Sequence, residues 1–168
     1  MPEQRNGHVS TASPTILVVD DELPILRLCK ALLEEAGFTV LEADGSAEAL
    51  KIFTQHQGQI DLLLADLVLP PPGFHLAPTS NPFPHVNGHQ LAVRATVIRK
   101  GLRIILMSGN PDKELLDHGI NRGTLPFVVK PFERARLISL VHHVLAEPAP
   151  ILAVEQPTFA ANNTPWYG

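Results

Sequence analysis

Thr15-Ile16-Leu17-Val18-Val19-Asp20-Asp21-Glu22 is the stretch whose reading decides the fold of this 168-residue chain. A run of five apolar or β-branched residues is too short for a helix. It suits a strand buried on both faces, as in a parallel sheet. The run stops abruptly in three carboxylates. Pro24 then fits a first helical turn. Ile25, Cys29, Leu32 and Ala36 recur at helical spacing, with Leu26 and Leu33 beside them, and Gly37 stops that helix.

The same alternation repeats downstream. Phe38 to Ala43 reads as a second strand, and Ser46 as the cap of a second helix carrying Ala49, Leu50 and Phe53. Ile60 to Ala65 is a third buried strand, ending at Asp66. Helical spacing resumes after Asn87-Gly88 with Leu91, Ala95 and Ile98. Arg103 to Met107 is a fourth strand, ending at Ser108-Gly109, and a short helix follows around Lys113 to His118. Pro126 to Val129 is a fifth strand, ending at Lys130-Pro131. The last helix runs from about Glu133 to Ala146, with Leu137, Ile138, Val141, Val144 and Leu145 on one face. Strand–helix alternation repeated five times predicts an α/β domain with a parallel sheet and helices on both faces.

Composition narrows the function classes. Hydrophobic residues make up 45% and charged residues 18%, which predicts a folded chain. The apolar runs fall short of a membrane span, and the first 15 residues lack a signal-peptide core, so the expected location is cytoplasmic. Cys29 is the only cysteine, which excludes an internal disulfide and a multi-cysteine zinc site. The net charge is −4 and no Lys/Arg run occurs, so no nucleic-acid surface is expected. Of the 16 prolines, six lie between Pro70 and Pro84. The prolines divide the chain into a disordered lead-in (1–14), a folded domain (15–146) with a Pro-rich insert (71–86), and a tail (147–168).

In open α/β sheets the working residues sit past the carboxyl ends of the strands. That rule selects Asp20 and Asp21, Asp66, Ser108 and Lys130. Three carboxylates at one sheet edge repel unless a cation lies between them. Magnesium, or manganese, suits such an oxygen donor set. Lys130 adds a movable positive charge for a phosphoryl oxygen, and Ser108 a hydroxyl. A carboxylate nucleophile, a metal, an ammonium and a hydroxyl together make a phosphoryl-transfer site.

The segments ILVVDDE (16–22), DLLLADLVLP (61–70), NGHQL (87–91), IILMSG (104–109) and FVVKPF (127–132) resemble a response-regulator receiver domain of two-component signalling. The last two resemble receivers attached to hybrid histidine kinases. The resemblance implies a flavodoxin-like, doubly wound sheet of five parallel strands in the order 2-1-3-4-5, flanked by five helices. It implies Asp66 as phosphoacceptor from a histidine kinase or a histidine phosphotransfer protein. Asp20, Asp21, Asp66 and the main-chain carbonyl of Val68 would hold the metal. Lys130 and Ser108 would bind the phosphoryl group, and Ser108 and Phe127 would act as switch residues. A downstream protein would read the face made by the fourth helix, fifth strand and fifth helix, and a homodimer is left open. About 22 residues follow the last helix, so no output domain is expected.

Other readings stand beside this one. Asp residues after strands also form turns or caps, Ser108 suits a turn before Gly109, and Phe127 and Cys29 suit a core. A phosphatase of the haloacid dehalogenase type needs a second Asp two residues after the first, where Val68 stands. A dinucleotide-binding fold lacks its glycine motif. A degenerate receiver acting as a phosphorylation-independent binding module is the remaining alternative. The insert PPGFHLAPTSNPFPHV (71–86) departs from the family pattern. It reads either as a disordered loop or as a lid or docking element anchored by Phe74, Leu76 and Phe83. His75, His85 and His89 lack a specific metal spacing, and His142-His143 suits a solvated helix face. With Val68 and Asn110 beside the site, self-dephosphorylation is expected to be modest.

Overall fold

The computed structural model describes residues 12–69, 86–120 and 125–152. The elements are β1 (Thr15–Val19), α1 (Leu23–Glu35), β2 (Thr39–Ala43), α2 (Ser46–Gln55) and β3 (Leu62–Asp66), then α3 (Gly88–Ile98), β4 (Arg103–Ser108), α4 (Pro111–Asp117), β5 (Phe127–Val129) and α5 (Arg134–Ala146). The five strands form one parallel sheet in the order β2-β1-β3-β4-β5, as the resemblance implies. No helix among the described residues is long and apolar enough to cross a membrane.

The apolar strands work because both faces of the sheet are covered. Leu17, Val19, Leu63, Ala65, Ile104 and Leu106 face one way, onto Leu50 and Phe53 of α2, Leu91 and Ala95 of α3 and Leu115 of α4. Ile16, Val18, Leu62, Leu64, Ile105 and Met107 face the other, onto Leu26, Cys29 and Leu33 of α1 and Leu137 and Val141 of α5. Alternate residues thus feed two cores, and a one-residue register slip would exchange them. Burial of each large aliphatic side chain contributes about 1.5–3 kcal/mol. Gly37 ends α1 at φ 95°, a conformation that penalises any side chain with a Cβ.

Several boundaries differ from the sequence reading for identifiable reasons. The N-cap of α2 is Gly45; Ser46 is the first helical residue. Its buried hydroxyl instead accepts a hydrogen bond from the backbone N–H of Val86 at 2.8 Å. The fourth helix begins at Pro111, two residues before Lys113, because the Asn110 side chain accepts from the Lys113 N–H. The third strand begins at Leu62. Asp61 instead joins β1, its N–H donating to the Thr15 carbonyl and its carboxylate accepting from the Thr15 N–H, each at 2.8 Å. The last residues of the lead-in are also held. The Thr39 N–H donates to the Pro14 carbonyl, and Ser13 Oγ donates to the Gly37 carbonyl. At the start of the tail, Arg103 Nε donates to the Glu147 carbonyl, and Leu152 packs on the core. Residues 1–11, 70–85 and 153–168 lie outside the described residues, and with them the anchors Phe74, Leu76 and Phe83 and the histidines His75 and His85.

Candidate functional site

Parallel pairing sets the strand ends level. Val19 pairs with Ala65, Asp66 with Met107, and Ser108 with Val129. The residues that follow β1 and β5, and those that close β3 and β4, therefore share one edge of the sheet. Lys130, 110 residues from Asp20 in sequence, donates from Nζ to Asp20 Oδ2 and to Asp66 Oδ2, each at 2.7 Å. The other carboxylate oxygens are held by backbone. Asp20 Oδ1 accepts from the Glu22 N–H at 2.9 Å, and Asp66 Oδ1 from the Val68 N–H at 3.0 Å. Asp20 is fully buried and Asp66 nearly so, while Asp21 is exposed.

Electrostatics follow from that burial. Desolvation disfavours the charged form of Asp66 and, with a smaller contribution from nearby Asp20, raises its pKa above 3.8; the Lys130 hydrogen bond and charge offset only part of this. Burial works against the Lys130 ammonium, but its hydrogen bonds to Asp20 and Asp66 outweigh it and raise the lysine pKa. Behind the site the Cys29 thiol is pushed up to about 12, mainly by burial, which makes it an inert packing group.

The donor chemistry fits a hard divalent cation. Asp20, Asp21 and Asp66 each offer a carboxylate oxygen, and these oxygens all lie within 4.8 Å of one another. Three carboxylates against one ammonium leave the cluster two negative charges in excess, which a dication balances.

Two further residues shape this edge. Gly88, the first residue of α3, donates its N–H to the Leu67 carbonyl at 2.9 Å. A Cβ there would lie 2.1 Å from the Asp66 carbonyl oxygen, so only glycine lets α3 approach so closely. Asn87 caps that helix in a reciprocal box with Gln90. The Asn-Gly pair was legible in the sequence as a helix start; its packing against Asp66 was not.

Ser108 is fully buried at the end of β4. Its hydroxyl donates to the carboxylate of Glu114 in α4, a partner the sequence did not suggest. Phe127 is half-buried and packs against the α2–α3–α4 side of the core. Val68 has a partly exposed side chain (39%) beside Asp66, and its N–H is the group bonded to Asp66. His142 and His143 are exposed on α5, with the His142 ring 5.2 Å from that of Phe38.

Residues 16–77 match the family model described as the response regulator receiver domain. The phosphate regulon transcriptional regulatory protein PhoB of Pseudomonas aeruginosa is 27% identical over 138 residues, covering 81% of this chain and 53% of that protein. The chain thus spans about half the length of this curated relative. A response regulator receiver protein from Sinorhizobium medicae superposes with a TM-score of 0.63 at 27% identity, covering 81% of this chain and 97% of that structure. The receiver domain of the hybrid histidine kinase CckA gives 0.58 at 27% identity, covering 78% and 98%. Sheet order, sequence and structural likeness converge: this chain carries a response regulator receiver domain.

Proposed function

We propose that Asp66 is the phosphoacceptor of this receiver and that a phosphohistidine, on a histidine kinase or a phosphotransfer protein, is its donor. One observation carries the reading: the Lys130 ammonium is shared at 2.7 Å between Asp20 and Asp66 at the carboxyl edge of the sheet. In the step, an Asp66 carboxylate oxygen attacks phosphorus as the phosphorus–nitrogen bond breaks. The electron pair leaves with the imidazole, which departs neutral when its other nitrogen is protonated, and Asp66 becomes an acyl phosphate. Lys130 stands ready to pair with a phosphoryl oxygen while still bound to Asp20. Val68 N–H fixes the carboxylate plane through Oδ1, so the nucleophile is oriented before the donor arrives.

Asp20, Asp21 and Asp66, with the main-chain carbonyl of Val68, would hold magnesium or manganese; the cation would neutralise charge on the transferring phosphoryl group. The chain is a signalling phosphoacceptor in this reading, with phosphoryl transfer and slow self-hydrolysis as its only chemistry. Its output is a protein partner that reads the α4–β5–α5 face, where Leu116 (80%) and Val129 (38%) are exposed.

Incubation with magnesium and acetyl phosphate tests this directly. Wild type gains the mass of one phosphoryl group, and Asp66→Asn gains none. A wild type that gains no mass and binds no beryllofluoride refutes the reading and leaves a phosphorylation-independent binding module.

A further inference from the structure

We propose that Glu114 is a latch on phosphorylation. It competes with the phosphoryl group for the hydroxyl proton of Ser108 and thereby sets how readily the activated state forms. This rests on the reading of Asp66 as phosphoacceptor. A serine hydroxyl carries one proton and can donate it to one strong acceptor at a time. In the structure that proton goes to Glu114 Oε2, not to the Asp20–Asp66–Lys130 cluster.

The surroundings make the contact a defined alternative. Ser108 is fully buried, and its carbonyl accepts from the Lys130 N–H at 2.8 Å, so its backbone is tied to the end of β5. Movement is left to the side chain and the turn beyond it. Glu114 is held by its own helix, whose start is set by the Asn110 cap and whose next residue, Leu115, is buried in the core. The carboxylate folds back over the turn, with Oε1 4.0 Å from where a Cβ on Gly109 would lie.

Donation to a carboxylate, here from a buried hydroxyl to a partly buried acceptor, is among the stronger protein hydrogen bonds. Ser108 cannot donate to a phosphoryl oxygen until this bond breaks, and breaking it frees Glu114 and loosens the start of α4 from β4. The cost of activation therefore falls on α4, one element of the proposed partner face. The latch biases a two-state element whose other bias is the phosphoryl group.

The test is a beryllofluoride titration with magnesium, followed by amide NMR, on wild type, Glu114→Ala, Glu114→Gln, Ser108→Ala and the Ser108→Ala/Glu114→Ala double variant. Removal of the latch is expected to lower the half-saturating beryllofluoride concentration about tenfold in Glu114→Ala. Glu114→Gln, which keeps the packing and a neutral acceptor, shifts it less and in the same direction. Without the Ser108 hydroxyl, Glu114→Ala has no further effect. Equal half-saturation in wild type and both Glu114 variants overturns the proposal, and so does an undiminished shift in the Ser108→Ala background. Failure of the phosphoacceptor reading shows in wild type alone, as absence of any beryllofluoride binding, and removes the latch with it.

Discussion

Gly88→Ala sets two physical effects against each other. Helix propensity alone predicts stabilisation, since alanine is the better helix former by up to about 1 kcal/mol. The backbone of Gly88 is not in the left-handed region, so the substitution meets no conformational penalty there. Packing predicts the opposite. The added Cβ would lie 2.1 Å from the Asp66 carbonyl oxygen and 2.9 Å from both Asp66 C and Leu67 Cα. All three are backbone atoms, so no side chain can rotate away. Restoring an ordinary carbon–oxygen contact requires α3 and the end of β3 to separate by about 1 Å. Overpacking of this kind costs about 1–3 kcal/mol. Separation also strains the Gly88–Leu67 hydrogen bond, adding about 1 kcal/mol. With the propensity gain subtracted, the expected net loss is about 1–3 kcal/mol, against a total stability of about 5–15 kcal/mol for such a domain.

Urea unfolding followed by circular dichroism measures the loss as a lower midpoint at unchanged slope. Gly109→Ala is the control, because its Cβ meets only one side-chain oxygen, at 4.0 Å, and it should stay within about 0.5 kcal/mol of wild type. The displaced strand end carries Asp66, so the variant should also accept phosphate from acetyl phosphate more slowly. A Gly88→Ala protein as stable as wild type, or more stable, would show that α3 does not press on the β3 end as described.

Three further outcomes are expected. Lys130→Met leaves Asp20 and Asp66 as buried charges without their ammonium, and should lower the stability of the metal-free protein by about 3–5 kcal/mol at neutral pH; a loss under 1 kcal/mol in urea unfolding contradicts the shared ion pair. Asp66→Asn should stabilise the metal-free protein. The folded-state pKa of Asp66 lies above its ordinary 3.8, so wild type loses stability as pH rises from that value through the folded one, then levels off, whereas the amide does not titrate. The advantage of the variant should thus grow with pH across that window in paired melts, and a shrinking advantage contradicts the sign. Asn87→Ala removes the cap of α3 and should cost about 1 kcal/mol by thermal unfolding, with an unchanged melting temperature as the contrary result.

The strand ends and their acidic residues were legible because local signals carry them. A short apolar run stopping at a polar or charged residue marks both a buried strand and its edge, and parallel topology brings four such ends together, at Asp20, Asp66, Ser108 and Lys130. What local pattern does not carry is which distant group a side chain meets. Ser46 has the chemistry of a helix cap, but the backbone N–H of Val86, 40 residues away, claims its hydroxyl. Ser108 has the chemistry of a phosphate ligand, yet Glu114 on the next helix holds it. Asp61 falls inside the third strand as read from the sequence, Ile60 to Ala65, but both its backbone and its carboxylate serve Thr15. Arg99, unremarked in the sequence, donates to the carbonyls of Phe53, His56 and Gly58 and so closes the loop after α2. Each of these is a competition between acceptors that only the assembled fold decides.

β5 is only three residues long and lies at the edge of the sheet. Its ladder to β4 is short, and immediately beyond it the Lys130 side chain reaches across the strand ends to Asp66 and Asp20, whose strands lie farther in. The charged cluster is therefore a fastener as well as the candidate site: it pins an edge element that has little ladder of its own. Any event that changes the charge at Asp66 alters the tension on that pin. The shortest strand is consequently the one best placed to report what happens at the site to the outer surface of the molecule.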